Sequence, residues 1–115
     1  MRILEEAQAA FRKRDFIKAE ELLRHAQKEN PKDATILLRM GQVYMAQGKF
    51  IESLDALRNS QKHNPDNPAV YRSIAMVIRM SGQIDLGIDY LRMMLMQAPL
   101  MLQPEIHLSL AELFA

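Results

Sequence analysis

The 115-residue sequence predicts an all-α protein built from repeated pairs of helices. Pro31, Pro65 and Pro99 are spaced 34 residues apart, and each follows a stretch that is typical of a helix. Between the prolines, apolar and small residues recur at i, i+3, i+4 and i+7, which is the spacing of a buried helical stripe. Because proline rarely continues a helix, the sequence predicts repeats at about 1–33, 34–67 and 68–101. One domain would then span residues 1–115.

Repeat two, residues 34–67, has the clearest pattern. Its first helix has a predicted stripe of Leu37, Met40, Gly41 and Tyr44. The turn is predicted at Gly48-Lys49-Phe50, and the second stripe consists of Ser53, Leu54, Leu57 and Ser60. The small residues at Gly41 and Ser53 would let the two helices approach closely, because a larger side chain there would force them apart.

The same positions 34 residues away predict the other two repeats. In repeat one the stripes are Ile3, Glu6, Ala7 and Ala10, then Ala19, Glu20, Leu23 and Ala26, with a turn at Arg14-Asp15-Phe16. In repeat three they are Tyr71, Ile74, Ala75 and Ile78, then Gly87, Ile88, Leu91 and Met94, with a turn at Gly82-Gln83-Ile84.

Capping residues support these helix boundaries. Asp33 is expected to cap the first helix of repeat two, and Asn67 followed by Pro68 suits the start of repeat three. Asp15 is placed to cap the second helix of repeat one. On that helix Glu20 and Arg24 are predicted to form an i, i+4 ion pair on a solvated face.

Repeat two also matches a known motif. Its residues have the spacing W-x2-L-G-x2-Y, then A-x3-F, then P, at Leu37, Met40, Gly41, Tyr44, Ser53, Leu57 and Pro65. With three copies in register, the sequence resembles the tetratricopeptide repeat family. The resemblance implies a right-handed α-α superhelix of three helix-turn-helix repeats plus one final helix. It also implies a concave groove lined by first helices and a function in protein binding without catalysis.

The chain departs from the 34-residue period after Pro99. A final helix is predicted within 104–115, but the stripe His107, Leu110, Ala111 and Phe114 requires a shift of two residues. A lengthened connection before a partial fourth unit is therefore expected. The apolar end of the chain predicts truncation from a longer array or self-association through this C-terminal helix.

The groove face is predicted from helix geometry. Residues one position beyond the packing stripe, with their neighbours, would face away from the paired helix, since each residue turns by about 100°. Apolar side chains alternate there with arginines, which predicts a protein or peptide partner with apolar anchors and acidic flanks. An alternative is that these apolar side chains pack within the array. The predicted binding residues are Gln8, Phe11, Arg12, Leu38, Arg39, Gln42, Met45, Arg72, Met76, Arg79 and Met80.

One family ligand is disfavoured. Some tetratricopeptide domains hold the carboxyl terminus of a chaperone with a clamp of lysine, asparagine and arginine. The lysine and asparagine positions correspond here to Leu4 and Gln8, or to Leu38 and Gln42, and Ser73 takes an arginine position. Other peptides remain compatible with the sequence.

Composition excludes several other functions. Fifteen basic and fourteen acidic residues leave a net charge of +1, so no nucleic-acid partner is expected. The absence of cysteine excludes thiolate zinc sites and cysteine nucleophiles, and His25, His63 and His107 are too scattered for a metal triad. No catalytic residues, metal or cofactor are predicted. A structural subunit acting through self-association is the alternative function.

The sequence also gives expectations for location. No apolar stretch has the length of a membrane span, and residues 1–10 lack the apolar core of a secretory signal. A cytoplasmic protein without membrane contact is expected, unless a targeting signal lies elsewhere in a longer protein.

Overall fold

The computed structural model describes residues 2–82, together with Arg92 and Met96. Residues 2–82 form five α-helices joined by short connections. These are α1 (Arg2–Arg12), α2 (Phe16–Glu29), α3 (Ala34–Ala46), α4 (Phe50–His63) and α5 (Pro68–Ser81). The chain divides into two compact units: Met1–His63 contains α1 to α4, and Asn64–Ala115 contains α5.

The helix starts have the predicted period. The first helices α3 and α5 begin at Ala34 and Pro68, and the second helices α2 and α4 begin at Phe16 and Phe50. The helix-turn-helix pattern is therefore confirmed for the described residues. The predicted second stripe of repeat three, the lengthened connection and the final helix at 104–115 lie outside them.

All three predicted N-caps are present. The Asp15 carboxylate accepts a hydrogen bond from the Lys18 backbone N–H at 3.2 Å. The Asp33 carboxylate accepts from the N–H groups of Thr35 and Ile36, and Asn67 Oδ1 accepts from the Ala69 N–H at 3.0 Å. These bonds satisfy backbone donors that the first helical turn leaves unpaired.

The turn after each first helix contains one residue in the left-handed region. Gly48 and Gly82 have φ values of 76° and 79° there, which costs glycine little. In repeat one the same position is Arg14, whose φ is 64°. A residue with a side chain is disfavoured in this conformation, so Arg14 is under a backbone cost that the equivalent glycines avoid.

The core of the first unit is formed by the stripes of α1, α2 and α3, together with Ala56 of α4. Its buried members are mostly small or aliphatic, with one aromatic side chain from α3. They are Ala7, Ala10, Ala19, Leu23, Ala26, Ile36, Met40, Val43, Tyr44 and Ala56. The predicted stripe residue Glu6 is exposed instead, and it pairs with Arg2 at 3.5 Å.

Helices α3 and α4 make the predicted close approach. Gly41 faces Leu57 so closely that a Cβ atom at Gly41 would lie 2.6 Å from Leu57 Cγ. The buried Ser53 hydroxyl donates to the Gly41 carbonyl at 2.7 Å, and the Ser60 hydroxyl donates to the Ala34 carbonyl at 2.8 Å. The two serines therefore satisfy their own polar groups at small positions of the interface.

Glu20 is predicted to lie on a solvated face, but its side chain is mostly buried. The ion pair with Arg24 exists at 3.6 Å, but the Glu20 side chain is only 14% exposed. Glu20 also pairs with Lys49 of the next repeat at 3.4 Å, and the Lys49 ammonium lies 5.9 Å from the centroid of the Tyr44 ring. A side-chain hydrogen bond with Tyr44, and then the charges of Tyr44 and Glu20, raise the pKa of Arg24. Glu20 thus connects repeats one and two.

Replacing Glu20 with glutamine is expected to lower the free energy of unfolding by about 1 kcal/mol, because one carboxylate bridges two cations across the repeat junction. The measurement is urea unfolding followed by circular dichroism, at low salt and in 1 M NaCl. Glu21→Gln is the matched control, since Glu21 is an exposed neighbour on the same helix. Equal losses for the two variants would contradict the bridging role.

In the second unit, α5 buries the predicted stripe. Tyr71 and Ile74 are fully buried, Ala75 is almost so, and Ile78 is 4% exposed. The Tyr71 hydroxyl donates to the Pro65 carbonyl at 2.7 Å, which ties α5 to the connection that precedes it. Within the described residues, no helix combines the length and apolar character that crossing a membrane requires.

Candidate functional site

Helices α1 and α3 border an open depression on the first unit. Its volume is about 390 Å³, which leaves room for a few side chains of a partner. We call this surface the α1–α3 depression. It is lined by Leu4, Glu5, Gln8, Arg12, Thr35 and Arg39.

A narrower apolar crevice lies beside the depression and shares Leu4, Gln8 and Arg39 with it. Its other lining residues are Ala7, Phe11, Leu23, Gln42 and Val43. The Phe11 ring meets the Phe16 ring edge to face, with centroids 5.5 Å apart. This contact holds Phe11 in a half-buried position against the core, so only part of its ring can contact a partner.

The depression has two cationic side chains, Arg12 and Arg39. Arg12 is exposed, whereas Arg39 is half-buried and donates from Nη1 to Gln42 Oε1 at 3.4 Å. Glu5 is the one carboxylate among the lining residues of the depression. A partner carboxylate near Arg12 and Arg39 could form charge-assisted hydrogen bonds beside an apolar surface.

In the second unit, four predicted residues share one face of α5. Arg72, Met76, Arg79 and Met80 are spaced by three or four residues or lie next to each other, so helix geometry directs them to the same side. All four are exposed, with Met76 at 52% and Met80 at 54%. Large apolar side chains this exposed, beside arginines, are typical of a contact surface.

Leu38 and Met45, two of the predicted binding residues, line neither the depression nor the crevice. Leu38 is 7% exposed, so the prediction that it offers surface to a partner is wrong in its side-chain placement. The physical reason is that α3 is apolar around most of its circumference, and such a helix is covered on several sides. Met45 is half-buried.

Three residues that line the depression, Leu4, Glu5 and Thr35, are absent from the predicted binding residues. Glu5 and Thr35 both lie close to the N-terminal ends of their helices. Thr35 lies one turn before Arg39 at i, i+4, so extending the predicted face by one turn would have found it. Leu4 and Glu5 lie one turn before Gln8 on α1, so the same extension would have reached them.

The comparison with protein families decides the identity of the fold. A tetratricopeptide repeat model matches residues 10–77. The chain belongs to the tetratricopeptide repeat family. Tetratricopeptide repeats are generally a protein-interaction fold rather than an enzyme scaffold.

Solved structures of tetratricopeptide domains share this fold. The Arabidopsis OM64 domain is 16% identical with a TM-score of 0.78, and the alignment covers 97% of this chain and 91% of that one. The first domain of Spaghetti (RPAP3), bound to the HSP90 peptide SRMEEVD, is 12% identical with a TM-score of 0.78, covering 97% and 87%. The second domain of human RPAP3, bound to the HSP70 peptide SGPTIEEVD, is 10% identical with a TM-score of 0.76, covering 96% and 91%. A search of curated proteins finds no match.

Within residues 2–82, 92 and 96, no group of three His, Cys, Asp or Glu side chains is placed to hold a metal ion. His25 and His63 are both exposed, near the ends of α2 and α4.

Proposed function

We propose that this tetratricopeptide chain is a non-enzymatic scaffold that binds a peptide or helical segment of a partner protein on its first helices. The observation that supports the proposal best is the α1–α3 depression, where Arg12 and Arg39 lie beside an apolar crevice. In the second unit, α5 separately presents exposed arginines and methionines of similar chemistry. Peptide binding on helical surfaces commonly combines apolar anchors with flanking charges in this way.

The chemistry of the first helices, each considered by itself, favours an acidic partner. Arg12, Arg39 and Arg72 can each form two parallel hydrogen bonds with a carboxylate, whereas Leu4 and Phe11 favour an aliphatic or aromatic anchor. The peptides bound by the two RPAP3 domains are also acidic, since both end in Glu-Glu-Val-Asp. Leu4 and Gln8 take the clamp positions, so we propose an internal acidic and apolar segment rather than a chaperone tail.

Reversing the charge of two arginines tests the proposal. We expect Arg39→Glu and Arg72→Glu each to weaken capture of a partner by about tenfold, because a favourable charge pair becomes repulsive. The measurement is affinity capture from a lysate with the full chain as bait, followed by titration of each recovered protein. A partner recovered by the native chain and lost with both variants supports the proposed face.

The matched control is Lys28→Glu, which makes the same change of charge at an exposed position in the last turn of α2. We expect recovery with this control to stay within about twofold of the native chain. Recovery that is indifferent to both arginine reversals would contradict the proposal. Concentration-dependent mass in sedimentation, without any captured partner, would favour self-association instead.

A further inference from the structure

The second feature that a partner could recognise is the end of the α1–α2 hairpin. Lys13 and Arg14 lie in the turn, and Ile17 and Lys18 lie in the first turn of α2. We call these four residues the basic corner. Its three cations are exposed and form no ion pair with a carboxylate in the described part of the chain, and Ile17 is 68% exposed.

Arg14 is kept at this corner against a backbone cost. The equivalent positions, Gly48 and Gly82, show that a glycine suits the same left-handed conformation. A residue in a strained backbone conformation lowers the stability of the fold. Such residues often lie at functional sites. The Arg14 guanidinium is therefore a candidate for a contact made outside the fold.

A recess lies against the same corner. Its volume is about 190 Å³, and Ala9, Ala10, Lys13 and Lys18 are among its lining residues. Two carboxylates also line it, but Glu6 pairs with Arg2, and Asp15 accepts the capping hydrogen bond from the Lys18 N–H. The carboxylates thus have partners, whereas the lysine ammonium groups have none among the described residues.

We infer that the basic corner is a second docking surface, separate from the α1–α3 depression, for an acidic segment of a protein partner. A glutamate or aspartate side chain would enter the recess between Lys13 and Lys18. Arg14 would bind a further carboxylate at the rim, and an aliphatic side chain of the partner would pack on Ile17. This pattern requires acidic residues on both sides of one aliphatic residue.

The recess distinguishes this partner from an anionic bilayer. A flat lipid surface can reach the tips of the cations but cannot fill a recess that is also lined by Ala9 and Ala10. The helix dipole favours a cation near the C-terminal end of a helix, so the charge of Lys13 after α1 can be explained without a ligand. Lys18 has no such explanation, since it lies at the N-terminal end of α2, where the helix dipole disfavours a cation.

The test uses the full chain with Arg39→Glu and Arg72→Glu already present, so that the proposed first-helix face does not contribute. The probe is a fluorescent synthetic peptide of glutamates around one central leucine, titrated by anisotropy at low salt. A peptide with glutamines in place of the glutamates is the neutral comparison. Binding to the reversed background, stronger for the acidic peptide, is expected even if the proposed function fails.

Two matched comparisons of variants test whether the acidic peptide binds at the basic corner. We expect Arg14→Gly and Lys18→Gln each to weaken binding up to about fivefold, the loss of one exposed ion pair, while Lys28→Gln leaves it unchanged. Arg14→Gly should at the same time raise the midpoint of thermal unfolding, so its loss of binding cannot result from unfolding. Ile17→Ser should weaken binding, whereas Ile51→Ser should not, although Ile51 is 75% exposed at the equivalent position.

Three outcomes would overturn the inference. The first is an affinity for the acidic peptide that is the same with the unchanged basic corner as with the Arg14→Gly and Lys18→Gln variants. The second is an equal loss with Ile17→Ser and Ile51→Ser. The third is binding to vesicles of phosphatidylserine and phosphatidylcholine that requires Arg14 and Lys18, with no binding of the acidic peptide; this would assign the corner to a lipid surface.

Discussion

Replacing Gly41 with valine is expected to lower the free energy of unfolding by about 3 kcal/mol. The first added carbon would lie 2.6 Å from Leu57 Cγ and 2.7 Å from Leu57 Cδ2, inside normal contact distance. Leu57 is completely buried, so its side chain has no open space into which to move. The α3–α4 pair must then separate or distort, and overpacking of a filled interface costs about 1 to 3 kcal/mol or more.

A double-mutant cycle assigns that loss to the close approach. Urea unfolding gives the cost of Gly41→Val in the native chain and in the Leu57→Ala background, where the cost should fall by more than half. Ala46→Val is the control, since Ala46 is exposed on the same helix and should lose about 0.5 kcal/mol. Equal costs of Gly41→Val in the two backgrounds would mean that Leu57 is not the obstacle.

The repeat, the caps and the close approach could all be predicted because they depend on local sequence. Asp33 and Asn67 cap helices through bonds to residues two or three positions away, so the relevant partners are visible in the sequence. Gly41 and Ser53 were predicted as contact positions because the 34-residue period fixes which faces of two paired helices meet. Their burial confirms that reasoning.

The errors arose where a residue's environment depends on elements distant in sequence. Glu20 has a favourable i, i+4 partner in Arg24, but its second partner, Lys49, is 29 residues away. Leu38 lies on the helix face that simple geometry directs away from α4. It is nevertheless buried, because α3 is apolar around most of its circumference and such a helix is covered on more than one side.

The candidate site was predictable only in part for the same reason. The arginines of the first helices were identified from their position on the helical face. The depth of the α1–α3 depression depends on how α1 and α3 are spaced, which the sequence of either helix does not determine. The sequence therefore indicated Arg12 and Arg39 but not their relation to Glu5 and Thr35.

The left-handed residue at the hairpin turn was not recognised either. The sequence has glycine at two of the three equivalent turns, and only the backbone conformation shows that Arg14 adopts the same left-handed state. Arg14 departs from the repeat and raises the backbone energy, which suggests a role outside folding. The glycines at the equivalent turns carry no such information, because glycine adopts this conformation at little cost.

Replacing Tyr71 with alanine is expected to lower the free energy of unfolding by about 4 kcal/mol. Tyr71 is the largest of the completely buried side chains, and truncating such an aromatic residue removes its burial and leaves a cavity. The variant also loses the hydrogen bond from its hydroxyl to the Pro65 carbonyl at 2.7 Å. Urea unfolding followed by circular dichroism measures the loss.

Tyr71→Phe separates the two contributions, because it keeps the ring and removes only the hydroxyl. We expect it to cost about 1 kcal/mol, the net value of one hydrogen bond plus the penalty for an unpaired carbonyl. Since Arg72 and Met76 lie on the same helix, Tyr71→Ala should also weaken partner capture wherever it unfolds α5, whereas Tyr71→Phe should leave capture intact. If Tyr71→Phe were as costly as Tyr71→Ala, the hydroxyl and not the packed ring would be the main anchor of this helix.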